Sequence, residues 1–265
     1  MKTMALCADD FGQSAAIDAG ILRLLAMRRL TAVSCLSTGA AWRPDAPRLL
    51  QAAGAAQLGL HFNLTEGAPL APTLAATWPR FPSLGRLIAA AHLRRLPLAA
   101  LRDELAAQLA AFNAATGRTP DYLDGHQHVH ALPGVRALVL DAALALQPHP
   151  ALRSTARLAG RGFKRQVIQS SGGRALGREL AARGLRHNRL LLGAYDFEAD
   201  YRPLMQHWLA EAPESGGLLF CHPGEAAADP ADPIGAARAR ELAYLGSDAF
   251  AQDLAAAGVR LGPAW

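Results

Sequence analysis

The chain has 265 residues, 51% of them hydrophobic and 18% charged, which is enough apolar material for a sizeable core and excludes global disorder. Its formal charge of +5 raises the question of nucleic acid, yet Lys2 and Lys164 are the only lysines and the arginines are strewn along Ala/Leu-rich stretches rather than clustered. Cys7, Cys35 and Cys221, odd in number and without CxxC spacing, exclude a disulfide framework and a structural zinc knuckle.

Taken in chain order, the apolar run Met4–Ala8 stops at Asp9 and Asp10. A helix is expected over Ser14–Arg29, with Ile17, Ile21, Leu24 and Leu25 at helical spacing. Short strands follow at Ala32–Ser37 and at Leu58–Leu60, the second leading into His61. Pro69, Pro72, Pro79 and Pro82 mark a surface excursion near residues 66–97. Leu98–Thr116 reads as a helix with Leu101, Leu105, Leu109 and Phe112 on one face and Gly117 as its stop. Asp121–Leu123 then leads into Asp124, Gly125 and His126, and Gly134–Leu146 reads as another helix. Residues 155–195, rich in Arg and Gly, give no periodicity. Leu218–Cys221 leads into His222, a helix over Asp232–Leu245 follows the break at Pro230 and Pro233, and Val259–Leu261 reads as a last short strand.

The β-α alternation predicts an α/β fold with a mostly parallel sheet, open or closed into a barrel, as one domain over 1–265. No window reaches the roughly 18–20 apolar residues of a membrane span, and the amino terminus has no apolar leader, so a cytoplasmic protein is expected.

In parallel α/β folds, active sites gather at the carboxyl ends of strands. That rule selects Asp9, Asp10, His61, His126 and His222, which lie far apart in sequence. Adjacent carboxylates such as Asp9-Asp10 suit a divalent cation with a proton acceptor beside it, and they equally suit a helix cap or solvated turn. His61 by itself reads as ligand or as core residue. In an extended chain, His126, His128 and His130 point to one side, so imidazoles could converge there; the alternative is a solvated polar loop. Because neighbours on a strand face opposite sides, His222 is read as facing the pocket, where it could act as general acid, and Cys221 as packing.

ADDFG at 8–12, GLHFNLTEG at 59–67, LDGHQHVH at 123–130 and CHPG at 221–224 together resemble the successive motifs of the YdjC-like (ChbG/HpnK) carbohydrate deacetylases. The stretch from Asp232 through Arg238, Arg240 and Glu241 resembles that family's ending. The resemblance implies a distorted (β/α) barrel related to polysaccharide deacetylases. It implies one divalent metal ion, Mg²⁺ or Zn²⁺, held by Asp10, His61 and His126, with Asp9 as catalytic base and His222 as general acid. An N-acetylated sugar is the implied substrate, and a homodimer is open. His128, Asp124 and Arg153 are further candidates for contacting substrate or orienting the ligands, with a surface role equally open for Arg153. Four positions depart from the family pattern: Cys7 for asparagine, Asp121-Tyr122 for Thr-His, and Gly125 for serine. Competing readings are a metal-dependent phosphoesterase and a non-catalytic sugar- or metal-binding homologue.

Overall fold

The computed structural model describes residues 1–160, 163–225 and 232–265, so Pro230, part of the break expected before the last long helix, lies outside the described residues. The described residues form eight strands: β1 (Lys2–Phe11), β2 (Ala32–Cys35), β3 (Gln57–Phe62), β4 (Tyr122–Gly125), β5 (Ala151–Leu152), β6 (Leu190–Leu192), β7 (Gly217–Cys221) and β8 (Val259–Leu261). Their order across the sheet is β5-β4-β3-β2-β1-β7-β6, with β8 on the early part of β1, and every pairing between them is parallel. Single parallel bridges join Leu152 of β5 to His187, ahead of β6, and Leu158, beyond β5, to Leu191 of β6. The result is a parallel half-barrel with helices outside, the α/β architecture expected.

Side-chain alternation sorts each strand into two faces. On β1, Met4, Leu6 and Ala8 join the large cluster between sheet and helices, while Ala5 and Cys7 join a smaller cluster inside the barrel. Leu123 and Leu152 likewise face the helices, and Tyr122 and Ala151 face inward. Leu219 and Cys221 lie on the helix side, with Leu218 and Phe220 inside. The inward row therefore runs from small apolar residues to Cys7, Ser34 and Tyr122 and then to charged groups at the carboxyl ends. Gly59 leaves room for this row: a Cβ there would stand 2.3 Å from the Tyr122 ring.

The helix Ala15–Ala26 begins where Ser14 Oγ accepts the Ile17 N–H, and Leu98–Thr116 ends at Gly117, whose φ of 69° is a left-handed cap. That second helix also buries Glu104 and Gln108. Glu104 accepts the backbone N–H groups of Leu70 and Ala71, which anchors the proline-rich excursion. The excursion carries short helices at Pro72–Ala75 and Leu84–His92. Within 155–195, helices at Phe163–Ile168 and Arg174–Ala182 flank a wide turn and lead into β6. Among the described residues no helix is long and apolar enough to cross a membrane.

Candidate active site

The charged ends of the inward row meet at one place. Asp9 continues the inward parity of β1, and Asp10 should face the helices. It does not, because the pairing with β2 slips between Ala8 and Phe11 and Asp10 takes φ 71°. A bulge of this kind re-aims one side chain, and here it turns both carboxylates to the same end of the barrel. Asp9 and Asp10 are 2% and 1% exposed.

Asp10 Oδ1 lies 2.9 Å from His126 Nδ1 and 3.5 Å from His61 Nε2. The ligand atoms of Asp10, His61 and His126 all fall within 4.8 Å of one another, and all three residues are buried. One hard carboxylate with two imidazoles is a donor set that suits a borderline divalent cation, so these residues fit a metal. Arg238 holds the other oxygen of Asp10 at 2.8 Å and reaches Asp232 at 2.6 Å.

Asp9 sits in a second group. Arg153, with no exposure, donates to both of its oxygens at 2.6 Å and lies 2.6 Å from Asp124 Oδ2. Asp124 Oδ1 is 2.7 Å from His61 Nδ1, and Ser34 donates to Asp124 at 2.7 Å. Burial by itself would raise the carboxyl pKa of Asp9, but the charges of Arg153 and His61 outweigh it and hold it below the usual range. The same contest, with Arg238 and His126 opposing burial, holds Asp10 well below its ordinary value. Burial pulls the two imidazoles down, yet Asp124 and Asp9 lift His61 to about 10, and Asp10 with Glu66 lifts His126 to about 9.

The HxHxH tract is not the extended chain that would bring its three imidazoles together. Residues His126–Ala131 form a tight turn in which Gln127 and His128 take φ 52° and 62°. The three imidazoles consequently have separate surroundings. His126 reaches Asp10, His130 Nε2 meets the Arg153 carbonyl at 2.8 Å, and the His128 ring packs edge-on to Phe220 at 5.3 Å. Burial pushes His130 down to about 4, a neutral imidazole suited to holding the Arg153 backbone.

His222, just past β7, lies edge-on to Phe197 and Phe220 at 5.3 and 5.5 Å. Its backbone N–H donates to buried Glu241 at 2.5 Å, and Glu241 also accepts the Tyr195 hydroxyl at 2.6 Å. Sequence reasoning gave no role to Ser34, Glu66, Arg238 or Glu241. Glu66 and Glu241 stand within recognised motifs, but their partners come from distant strands and loops. Cys7 and Tyr122, two departures from the family pattern, are neighbours: the thiol is 3.2 Å from the phenol oxygen, and both touch Ser34.

Fold and site together define a parallel half-barrel with a buried carboxylate–imidazole cluster at the carboxyl ends of its strands. The chain belongs to the YdjC-like protein family, whose model matches residues 3–256. It is 35% identical over 148 residues to a carbohydrate deacetylase of Homo sapiens, covering 54% of this chain and 45% of the human protein, so it spans less than half of that relative. It is 34% identical over 174 residues to a chitooligosaccharide deacetylase of Klebsiella pneumoniae strain 342, covering 65% of this chain and 67% of that one. Among solved structures, a proposed cellobiose-phosphate cleavage protein of Enterococcus faecalis V583 shares the fold at a TM-score of 0.77 and 23% identity, over 99% of this chain and 97% of the other. A family 4 acetyl xylan esterase of Clostridium thermocellum does so at 0.50 and 12%, over 98% and 87%.

Proposed function

We propose that this protein is a metal-dependent hydrolase that removes an acetyl group from an N-acetylated sugar. The observation that carries the reading is the convergence of Asp10, His61 and His126 beside an aspartate, Asp9, that Arg153 keeps ionised and aimed. The deacetylase relatives support the substrate class.

A divalent cation, Mg²⁺ or Zn²⁺, held by Asp10, His61 and His126 would polarise the acetamide carbonyl and acidify a water. Asp9 takes the proton of the attacking water, for which its ionised state is the required one. Arg153 fixes both oxygens of Asp9, leaving its remaining lone pairs for the incoming proton. His222 gives a proton to the departing amine, which leaves poorly as an anion. Asp124 holds the far nitrogen of His61 and so sets that ring's orientation.

One cation suits this site better than two. A second donor group, Asp9, His61 and Asp124, has ligand spacing as well, but the Arg153 guanidinium already lies against both of its carboxylates. That favours an amide hydrolase over a phosphoesterase built on paired metals. The deciding experiment is acetate release from a panel of N-acetylated sugars, with and without chelator, for wild type and His126→Ala. Chelator-sensitive release that disappears in the variant is the expected result. Cation bound at stoichiometry without release from any sugar would reject the deacetylase reading.

A further inference from the structure

The two candidate histidine ligands are arranged alike. Each turns one ring nitrogen to the same oxygen, Asp10 Oδ1: His61 its Nε2 and His126 its Nδ1. Each turns the other nitrogen to a second carboxylate. For His61 this is Asp124, at 2.7 Å and fully buried. For His126 it is Glu66, whose Oε1 lies 3.0 Å from Nε2, close enough for an ion pair though not aligned as a full hydrogen bond.

The loop carrying Glu66 is built to hold it there. Asn63 Oδ1 accepts the Thr65 and Glu66 N–H groups, and Asn63 Nδ2 donates to the Glu66 carbonyl at 2.8 Å. Gln108 grips the backbone of Asn63 on both sides, at 3.0 and 2.8 Å. The free oxygen of Glu66 accepts the Gln13 amide at 2.6 Å, and Gln13 in turn accepts from Arg238, which holds Asp10. The ring of contacts from Asp10 through His126, Glu66, Gln13 and Arg238 thus closes on Asp10 itself.

We propose that Glu66 is the carboxylate that orients His126 for cation binding, the counterpart of Asp124 on His61, an inference that rests on the metal-site reading above. A carboxylate on the far nitrogen of a ligating imidazole fixes the ring and raises its basicity, and its loss weakens metal affinity roughly 10–100-fold. The two differ in exposure: the Asp124 side chain has none, whereas that of Glu66 is 39% exposed at the mouth of the site. His126 is therefore the candidate ligand whose support faces solvent.

The test measures cation binding with no substrate present. Zn²⁺ and Mg²⁺ are titrated separately into wild type, Glu66→Gln, Glu66→Ala and Glu66→Asp, with thermal unfolding of the metal-free proteins as the folding check. The expected result is a dissociation constant raised roughly 10–100-fold in the Gln and Ala variants, partly restored by Asp, with unchanged metal-free melting. Wild-type affinity in Glu66→Gln and Glu66→Ala would overturn the assignment. Wild type that binds neither cation would overturn the metal site and this role with it. Weakened binding without deacetylation in any variant or in wild type would leave Glu66 in place and reject only the proposed reaction.

Discussion

Arg153 grips both oxygens of Asp9 from across the barrel, each at 2.6 Å, with its guanidinium wholly out of solvent. It enters on the inward face just after β5, a two-residue strand, and its carbonyl is held in turn by His130. A single buried cation therefore serves two buried carboxylates, Asp9 and Asp124.

Removing that cation should be costly. Arg153→Met strands Asp9 in the interior and leaves Asp124 to His61 and Ser34 alone, and breaking a buried pair in this way costs about 3–5 kcal/mol. Adding Asp9→Asn to Arg153→Met should recover part of the loss, since one stranded charge disappears. Urea unfolding of the two variants and wild type gives the comparison. Equal stability of Arg153→Met and wild type would mean that the pair contributes nothing to the fold.

The two histidines set a pH dependence. In the metal-free protein the facing carboxylates overcome burial and lift His61 to about 10 and His126 to about 9, above the ordinary 6.5. Their contribution is complete below that ordinary value and fades as pH rises through about 9 to 10. A cation needs these nitrogens unprotonated, so binding at neutral pH releases protons and tightens as the solution becomes more alkaline. The rise in Tm produced by a fixed cation concentration should grow from pH 6.5 to 8.5. A constant rise across that range would contradict protonated histidines in the metal-free site.

Much of this site is legible in the sequence, for a physical reason. A buried parallel strand reads as an apolar run, so a run that stops at Asp9, His61, Asp124 or His222 announces its carboxyl end. The bulge at Asp10 is not legible, because a one-residue slip against β2 is decided by pairing and not by residue type. Nor are β5 and β6, of two and three residues, which exist through their neighbours and carry no pattern of their own. The alternation of His126, His128 and His130 would put all three on one side of an extended chain, yet the chain turns there through positive φ at Gln127 and His128. Ladder pairing with β3 ends at Gly125, so nothing beyond it enforces an extended backbone.

Gly59 offers a test of the barrel interior. A methyl group there would meet the Tyr122 ring at 2.3–2.6 Å, and Tyr122 is fully buried with its hydroxyl 2.8 Å from Ser34. Gly59→Ala should destabilise by about 1–3 kcal/mol, the usual cost of overpacking. Shortening Tyr122 to Leu in the same chain should return part of that stability. Denaturation midpoints that show no coupling between the two substitutions would place the cost elsewhere.

Glu241 makes the last prediction, since its charge and its shape can be separated. Burial pushes its carboxyl up to about 7, against the Tyr195 hydroxyl, the His222 N–H and Arg238, all of which favour the ionised form. The folded value lies above the ordinary 4.5, so its contribution is complete at acidic pH and is lost as pH rises through about 7. Glutamine stays neutral throughout. The stability of Glu241→Gln relative to wild type should therefore climb between pH 5 and 8, measured as urea midpoints. The glutamine carbonyl can still accept the His222 N–H while its amide donates to the Tyr195 oxygen, so the turn that presents His222 stays in place. Leucine keeps neither bond. Glu241→Gln should retain most of the turnover and Glu241→Leu should lose the greater part of it. Equal turnover in the two would mean that the His222 turn holds its position without Glu241.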